Sequence, residues 1–295
     1  MSATVMQRVV VRMLFDAAFR DCVYADAAVA LRDLELTPEE RQWLVTPDPR
    51  AYGTDAYRRS RALSGLLEEY PVAGALAVRC PQGVQQLHRF FASTLFHQCV
   101  QQRGSMADAF GCYLGSPAFA DHPEIAHLAE VERGIAQVRR ASDLASNAPH
   151  ALTENSRLCL APWVALLSLP PTTLARYGRV RDHLARHSST LLTAVLDSGY
   201  GVPAGPPLDA AEAAFVLVVG IPGEDGPALE PTSHELGTLL AAAQAGMVCR
   251  DLCTVAVRLG AEPPEAYEII QGLVADRLLI KVPWAANASC RVPEA

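Results

Sequence analysis

The last third of this chain limits its folding most, because its helix start and stop signals are so closely set. Thr232-Ser233-His234-Glu235 has the spacing of a capping box, in which a Thr hydroxyl and a Glu carboxylate satisfy the first N–H groups of a helix, and Gly246 can close that helix. Residues 249–259 form a second helical pattern closed by Gly260. Pro263-Pro264 opens a third that runs to about Arg277, since proline is tolerated in the first turn of a helix. Residues 278–282, Leu-Leu-Ile-Lys-Val, then have the content of a strand.

Three short helices with tight joints followed by a strand is the order of a winged-helix module. Upstream, the apolar run 213–219 (Ala-Ala-Phe-Val-Leu-Val-Val) ends at Gly220-Ile221-Pro222-Gly223 and reads as a well-covered strand. Residues 157–169 have strand-like content too, and the preceding strands have the option of adding to the module's sheet. Residues 190–196 fit a strand or a helix end equally.

The first half reads as helices. Val9, Met13 and Ala17, then Val23, Ala27 and Leu31, recur at helical spacing between arginines and aspartates. Thr37-Pro38-Glu39-Glu40 is a capping box with proline at the first helical position, and Thr46-Pro47-Asp48-Pro49 breaks the helix it starts. Leu63, Leu66, Leu67 and Tyr70 mark a helix over 55–70 stopped by Pro71. Leu87, Phe90, Phe91, Leu95 and Val100 mark one over 84–102, Gly104-Ser105 separates it from 106–114, and Ile125, Leu128, Val131, Ile135 and Val138 mark one over 123–144. Residues 142–156 are rich in small polar and turn-forming residues, as in a linker. The expected architecture is α+β and mostly helical, with a helical bundle over 1–145 and a winged-helix-like domain over 157–295, without internal repeats.

A length of 295 residues fits two such domains. Composition closes several functional classes. The chain has a single lysine, Lys281, and its surroundings are neither glycine-rich nor followed by Ser or Thr, which argues against a pyridoxal Schiff base or a phosphate-binding loop. The eight cysteines are scattered as in a reduced, cytoplasmic protein. Arg8, Arg12 and Asp16 interrupt the apolar N-terminal stretch, making it a poor signal peptide, and Pro162, Pro170 and Pro171 exclude the uncharged run 158–175 as a membrane span.

No catalytic residue, metal set or cofactor emerges from the motifs. Cys249 and Cys253 lack a third cysteine at position 256, which is Ala. His183 and His187 have metal-pair spacing but sit among Arg176, Arg179, Arg181 and Arg186, whose charge repels a cation. His234-Glu235 is followed by Thr238 where a zinc protease needs His, and prolines prevent the helix that should follow Gly199-Tyr200-Gly201. The histidines at 88, 97, 122, 127 and 150 show no nucleophile and acid at a family spacing.

Nucleic acid is disfavoured as a partner. The third helix sets Glu265, Glu268 and Asp276 against Arg277 alone, in a chain of net charge -7. A winged-helix DNA-binding regulator is the alternative reading. Peptide capture by strand addition fits better, with Phe215, Leu217 and Val219 on the 213–219 strand and Tyr267, Ile270 and Val274 on the third helix as the peptide-binding residues.

Three stretches then point to a family: Leu36-Thr37-Pro38-Glu39-Glu40-Arg41 with Tyr57-Arg58-Arg59 and Glu68-Glu69-Tyr70-Pro71; Phe90-Phe91-Ala92-Ser93-Thr94-Leu95-Phe96-His97; and Arg103-Gly104-Ser105-Met106-Ala107-Asp108-Ala109-Phe110-Gly111. Over about residues 10 to 115 the chain resembles the partner subunits of multinuclear non-haem iron-dependent oxidases in ribosomal peptide natural-product biosynthesis, such as those of the 3-thiaglutamate and methanobactin pathways. The resemblance implies a required, non-catalytic subunit. The iron belongs to the oxidase subunit, and this chain binds the leader of a precursor peptide and presents its cysteine. The length favours the 3-thiaglutamate type, in which the β-carbon of a C-terminal Cys is excised, ahead of oxazolone and thioamide formation as in methanobactin. Phe90, Phe91, Arg103 and Ser105 are the expected interface with the oxidase, as aromatics and Arg are common anchors.

Overall fold

Two aspartates cut the N-terminal apolar pattern into three helices. In the computed structural model, which describes residues 2–52, 56–142, 152–187, 213–220 and 226–282, α1 spans Ser2–Phe15, α2 Ala17–Ala25 and α3 Ala27–Ala30. Asp16 accepts from the Phe19 N–H at 2.9 Å and Asp26 from the Val29 N–H at 3.0 Å, so each carboxylate caps the helix that follows it. The chain is α+β and mostly helical. It forms two compact units, Met1–Arg133 with Leu174–Pro206, and Gly134–Thr173 with Pro207–Ala295. The division falls inside a helix rather than at residues 142–156, of which 143–151 lie outside the described residues.

In the first unit, α4 (Pro38–Val45) carries the expected capping box: Glu40 accepts from the Thr37 N–H at 2.9 Å, and the Thr37 hydroxyl accepts from the Glu40 N–H at 3.2 Å. Leu44 joins Val9, Met13, Val23, Leu31, Leu36 and Tyr52 in one core cluster. Thr37→Ala should therefore cost about 1 kcal/mol, read as a shift of the urea midpoint at constant slope.

Pro71 ends α5 (Ala56–Glu69) but also occupies the first turn of α6 (Pro71–Arg79), a helix the sequence reading passes over. The expected 84–102 helix is split into α7 (Gly83–Arg89), a 3-10 turn at Phe90–Ala92 and α8 (Thr94–Gln102), which restarts on Ser93. Then come α9 (Met106–Leu114), capped by Ser105, and α10 (Pro123–Ser142). Phe15, Phe90, Phe91, Phe96, Phe110, Tyr70 and Tyr113 pack ring against ring, with neighbouring centroids 5.2–5.7 Å apart in stacked, tilted and edge-to-face pairs, and fill the space between these helices.

The other elements are β1 (Arg157–Leu160), β2 (Val164–Leu169), α11 (Thr173–His187), β3 (Ala214–Val219), β4 (Ala228–Thr232), α12 (His234–Gln244), β5 (Met247–Val248), α13 (Cys249–Arg258), α14 (Pro263–Ala275) and β6 (Leu279–Lys281). All but α11, most of which falls in the first unit, belong to the second. Of the strands before α12, β1 joins the sheet of β5 and β6 and the others do not. The strands make two antiparallel sheets of three, β5-β1-β6 and β2-β3-β4, among the described residues. Thr232 ends β4, and Ser233 caps α12 by accepting from the Leu236 N–H at 3.2 Å, one residue later than the expected box. Gly246 (φ 78°) and Gly260 (φ 106°) close α12 and α13 in the left-handed region that glycine enters without cost. Leu158, Leu217, Leu239, Leu240, Leu252, Ile270, Leu273 and Leu279 share the core of this unit. Among the described residues no helix is long and apolar enough to cross a membrane.

Candidate functional site

The α14–β6 corner of the second unit has a helix with one dry face and one wet face beside the end of a sheet. Apolar positions Ala266, Ile270 and Leu273 recur at three and four residues and sink into the core. Glu265, Glu268, Ile269 and Asp276 remain exposed, so the solvent face of α14 is acidic around one apolar side chain. The Glu265 carboxylate accepts from the Glu262 N–H at 3.3 Å, which holds the start of the helix. After the turn at Arg277 (φ 58°), Leu278 to Val282 run antiparallel to β1. Ala161 N–H donates to Leu278 O, and Val282 N–H to Arg157 O, both at 2.9 Å. Alternation along an antiparallel ladder then makes Cys159–Ile280 a bonded pair and turns the main-chain N–H and C=O of Leu279 away from β1. No described strand lies beyond β6.

The expected peptide-binding residues are placed differently. β3 is the centre of its sheet, paired with β2 from Val164↔Val219 to Leu169↔Ala214 and with β4 from Phe215↔Thr232 to Val219↔Ala228. Both its ladders are occupied, so Phe215, Leu217 and Val219 cannot receive an added strand. Tyr267, Ile270 and Val274 share one side of α14, but that side faces the core: Ile270 is fully buried and the other two pack on the same cluster. The Tyr267 hydroxyl donates to Leu152 O at 3.3 Å. The helical period located the face correctly and could not say which way it points.

The expected oxidase interface needs the same correction. Phe90 and Phe91 are 0% exposed in the aromatic cluster, where no partner side chain reaches them. Arg103 is exposed and ends α8 with φ 53°, while Ser105 is half-buried and accepts from the Asp108 N–H at 3.2 Å. Val29, Trp43, Val84 and Met106 are the large apolar side chains that meet solvent in this unit among the described residues, and the biggest is Trp43, 62% exposed on α4. Its signal was available: Glu40 and Leu44, four apart, define the buried side of α4, and Trp43 lies about 100° from Leu44.

Among the described residues no three His, Cys, Asp or Glu side chains gather as a metal site. Cys249 is buried, and burial together with the neighbouring Cys253 thiol pushes it well above the usual thiol range. In the first unit the His97 imidazole is held below its ordinary value by burial and by Arg12, opposed by Asp16 3.7 Å away. Cys290, His150 and residues 190–196 and 199–204 lie outside the described residues. No family model and no curated protein matches this chain.

Proposed function

We propose that this chain is the non-catalytic subunit of a heterodimeric iron-dependent oxidase, which holds the leader of a ribosomally made precursor peptide and presents its cysteine for oxidation. The observation that carries the reading is the end of the second unit, where α14, exposed along an acidic and partly apolar face, leads directly into β6, a strand with no described strand beyond it. We read α12, α13 and α14 with β5, β1 and β6 as a winged helix whose central strand enters from before the first helix. An extended peptide pairs with the main chain of β6 at Leu279 and lays alternate side chains against α14. Glu265, Glu268 and Asp276 repel a phosphate backbone there, which supports peptide over DNA.

In this reading Trp43, with Arg103 and Ser105, faces the oxidase, and the iron and the oxygen chemistry belong to that partner. The modification is β-carbon excision of a C-terminal Cys, as in the 3-thiaglutamate pathway, ahead of the methanobactin type. Coexpression with candidate iron oxidases tests it. The expected result is a stable heterodimer that consumes oxygen with the peptide only when both chains are present. Iron binding and peptide-dependent oxygen uptake by this chain alone overturns the non-catalytic role. Salt-sensitive retention on duplex DNA with no partner captured favours the regulator instead.

A further inference from the structure

α11 is the most basic of the described helices. Arg176, Arg179, Arg181 and Arg186 against Asp182 give it a formal charge of +3 in a chain of -7, so all other residues together sum to -10. Tyr177, Val180 and Leu184, spaced three and four apart, are buried and anchor one side of the helix. Arg179, Arg181 and Arg186 are exposed.

The arginines are not equivalent. Arg181 lies 3.6 Å from the Asp182 carboxylate, with its guanidinium 5.8 Å from the Tyr177 ring centre. Arg179 and Arg186 instead each donate Nε to a carbonyl one turn back, Ala175 O at 3.3 Å and Asp182 O at 3.0 Å. Those bonds hold each side chain along the helix and leave both Nη groups of each without a carboxylate among the described residues. Residues seven apart fall on one face two turns along, about 10 Å at 1.5 Å per residue. Two carboxylates two turns apart on a helix, or three residues apart on an extended segment, match that spacing.

We infer that the Arg179–Arg186 face of α11 is a docking site for an acidic peptide segment, an inference that rests on the reading of this chain as a peptide-binding subunit. The guanidiniums supply planar pairs of donors suited to carboxylates. A short acidic segment matches the few arginines on offer. A nucleic-acid duplex, with a charge about every 1.7 Å of axis, brings its further phosphates against a chain that is otherwise strongly negative.

The test uses the full chain and a fluorescein-labelled peptide of repeated Glu-Glu-Ala, with the Lys-Lys-Ala peptide and a labelled DNA duplex of similar length as comparisons. Anisotropy should show binding of the Glu peptide alone, weakening as salt rises to ~0.15 M, where the Debye length is about 8 Å. Arg179→Glu with Arg186→Glu should weaken it at least about tenfold, and the matching Arg→Gln pair by less, with unchanged thermal melting because both positions are exposed. Absence of Glu-peptide binding, equal binding by the charge-reversed variant, or tighter binding of the duplex overturns the inference. If the oxidase complex forms but the Glu peptide does not bind, this inference alone fails. If the Glu peptide binds through α11 while no oxidase is captured, the docking face stands and the subunit reading falls.

Discussion

Glu132→Ala is expected to cost the helical unit about 3 kcal/mol, the largest loss from any single polar truncation proposed for this protein. Glu132 is 1% exposed, and its two carboxyl oxygens accept from the N–H groups of Val72 at 2.8 Å and Ala73 at 3.0 Å. Those donors open α6, whose own N-cap residue, Tyr70, supplies no capping bond. A carboxyl sixty residues away in sequence therefore does the work that a local Ser or Asp does elsewhere, and it ties α10 to α6. Removing it leaves two buried donors unmet, each costing about 1–3 kcal/mol, in a site that water does not reach. The urea midpoint of the full chain should fall accordingly.

The same group makes stability depend on pH. Burial pushes the Glu132 carboxyl up to about 8, against the two backbone N–H groups that pull it down. Its folded value lies above the ordinary 4.5, so the folded state holds the proton more tightly than the unfolded one. The stability this contributes is complete below about pH 4.5 and is lost as pH rises through about 8. Glu132→Gln has no proton to release. The difference between its urea midpoint and that of the unsubstituted chain should change across that window, and a constant difference would show that Glu132 does not titrate there.

Glu132 also shows why parts of the fold escaped the sequence. Where a signal is local, it was legible: Thr37 and Glu40 bond as their spacing requires, and Gly246 and Gly260 take the positive φ that helix ends call for. Asp16 and Asp26 carry local signals as well, but inside an apolar pattern they read as solvated charges rather than caps. The partner of the α6 N-terminus is set by packing, which no window of the sequence contains. Sheet membership is the same kind of fact. The apolar run of β3 implies cover on both sides, yet not that β2 and β4 occupy its two edges. For the candidate site, periodicity found the Tyr267, Ile270, Val274 stripe, and the burial of Ile270 moved the accessible surface to Glu265, Glu268 and Ile269.

Gly237→Ala is expected to destabilise the second unit by about 2 kcal/mol, opposite in sign to the usual effect. Alanine inside a helix ordinarily gains about 1 kcal/mol over glycine. Here α12 crosses β3 so closely that a Cβ at position 237 would overlap Cγ and Cδ2 of Phe215 and lie 2.6 Å from its Cβ. Atoms at the root of the Phe215 side chain cannot swing aside as a flexible tip would, so the helix must lift or the ring must leave its rotamer, an overpacking cost of about 1–3 kcal/mol. Phe215→Ala removes the ring but keeps the Cβ, which predicts a partial rescue: the double variant should be more stable than the two single losses add up to, with a coupling of about 1 kcal/mol in a urea-based double-mutant cycle. Full additivity would mean that α12 and β3 do not meet at this point. The same contact ties Phe215 to the helix that begins at His234, whose ring lies 5.7 Å from its own.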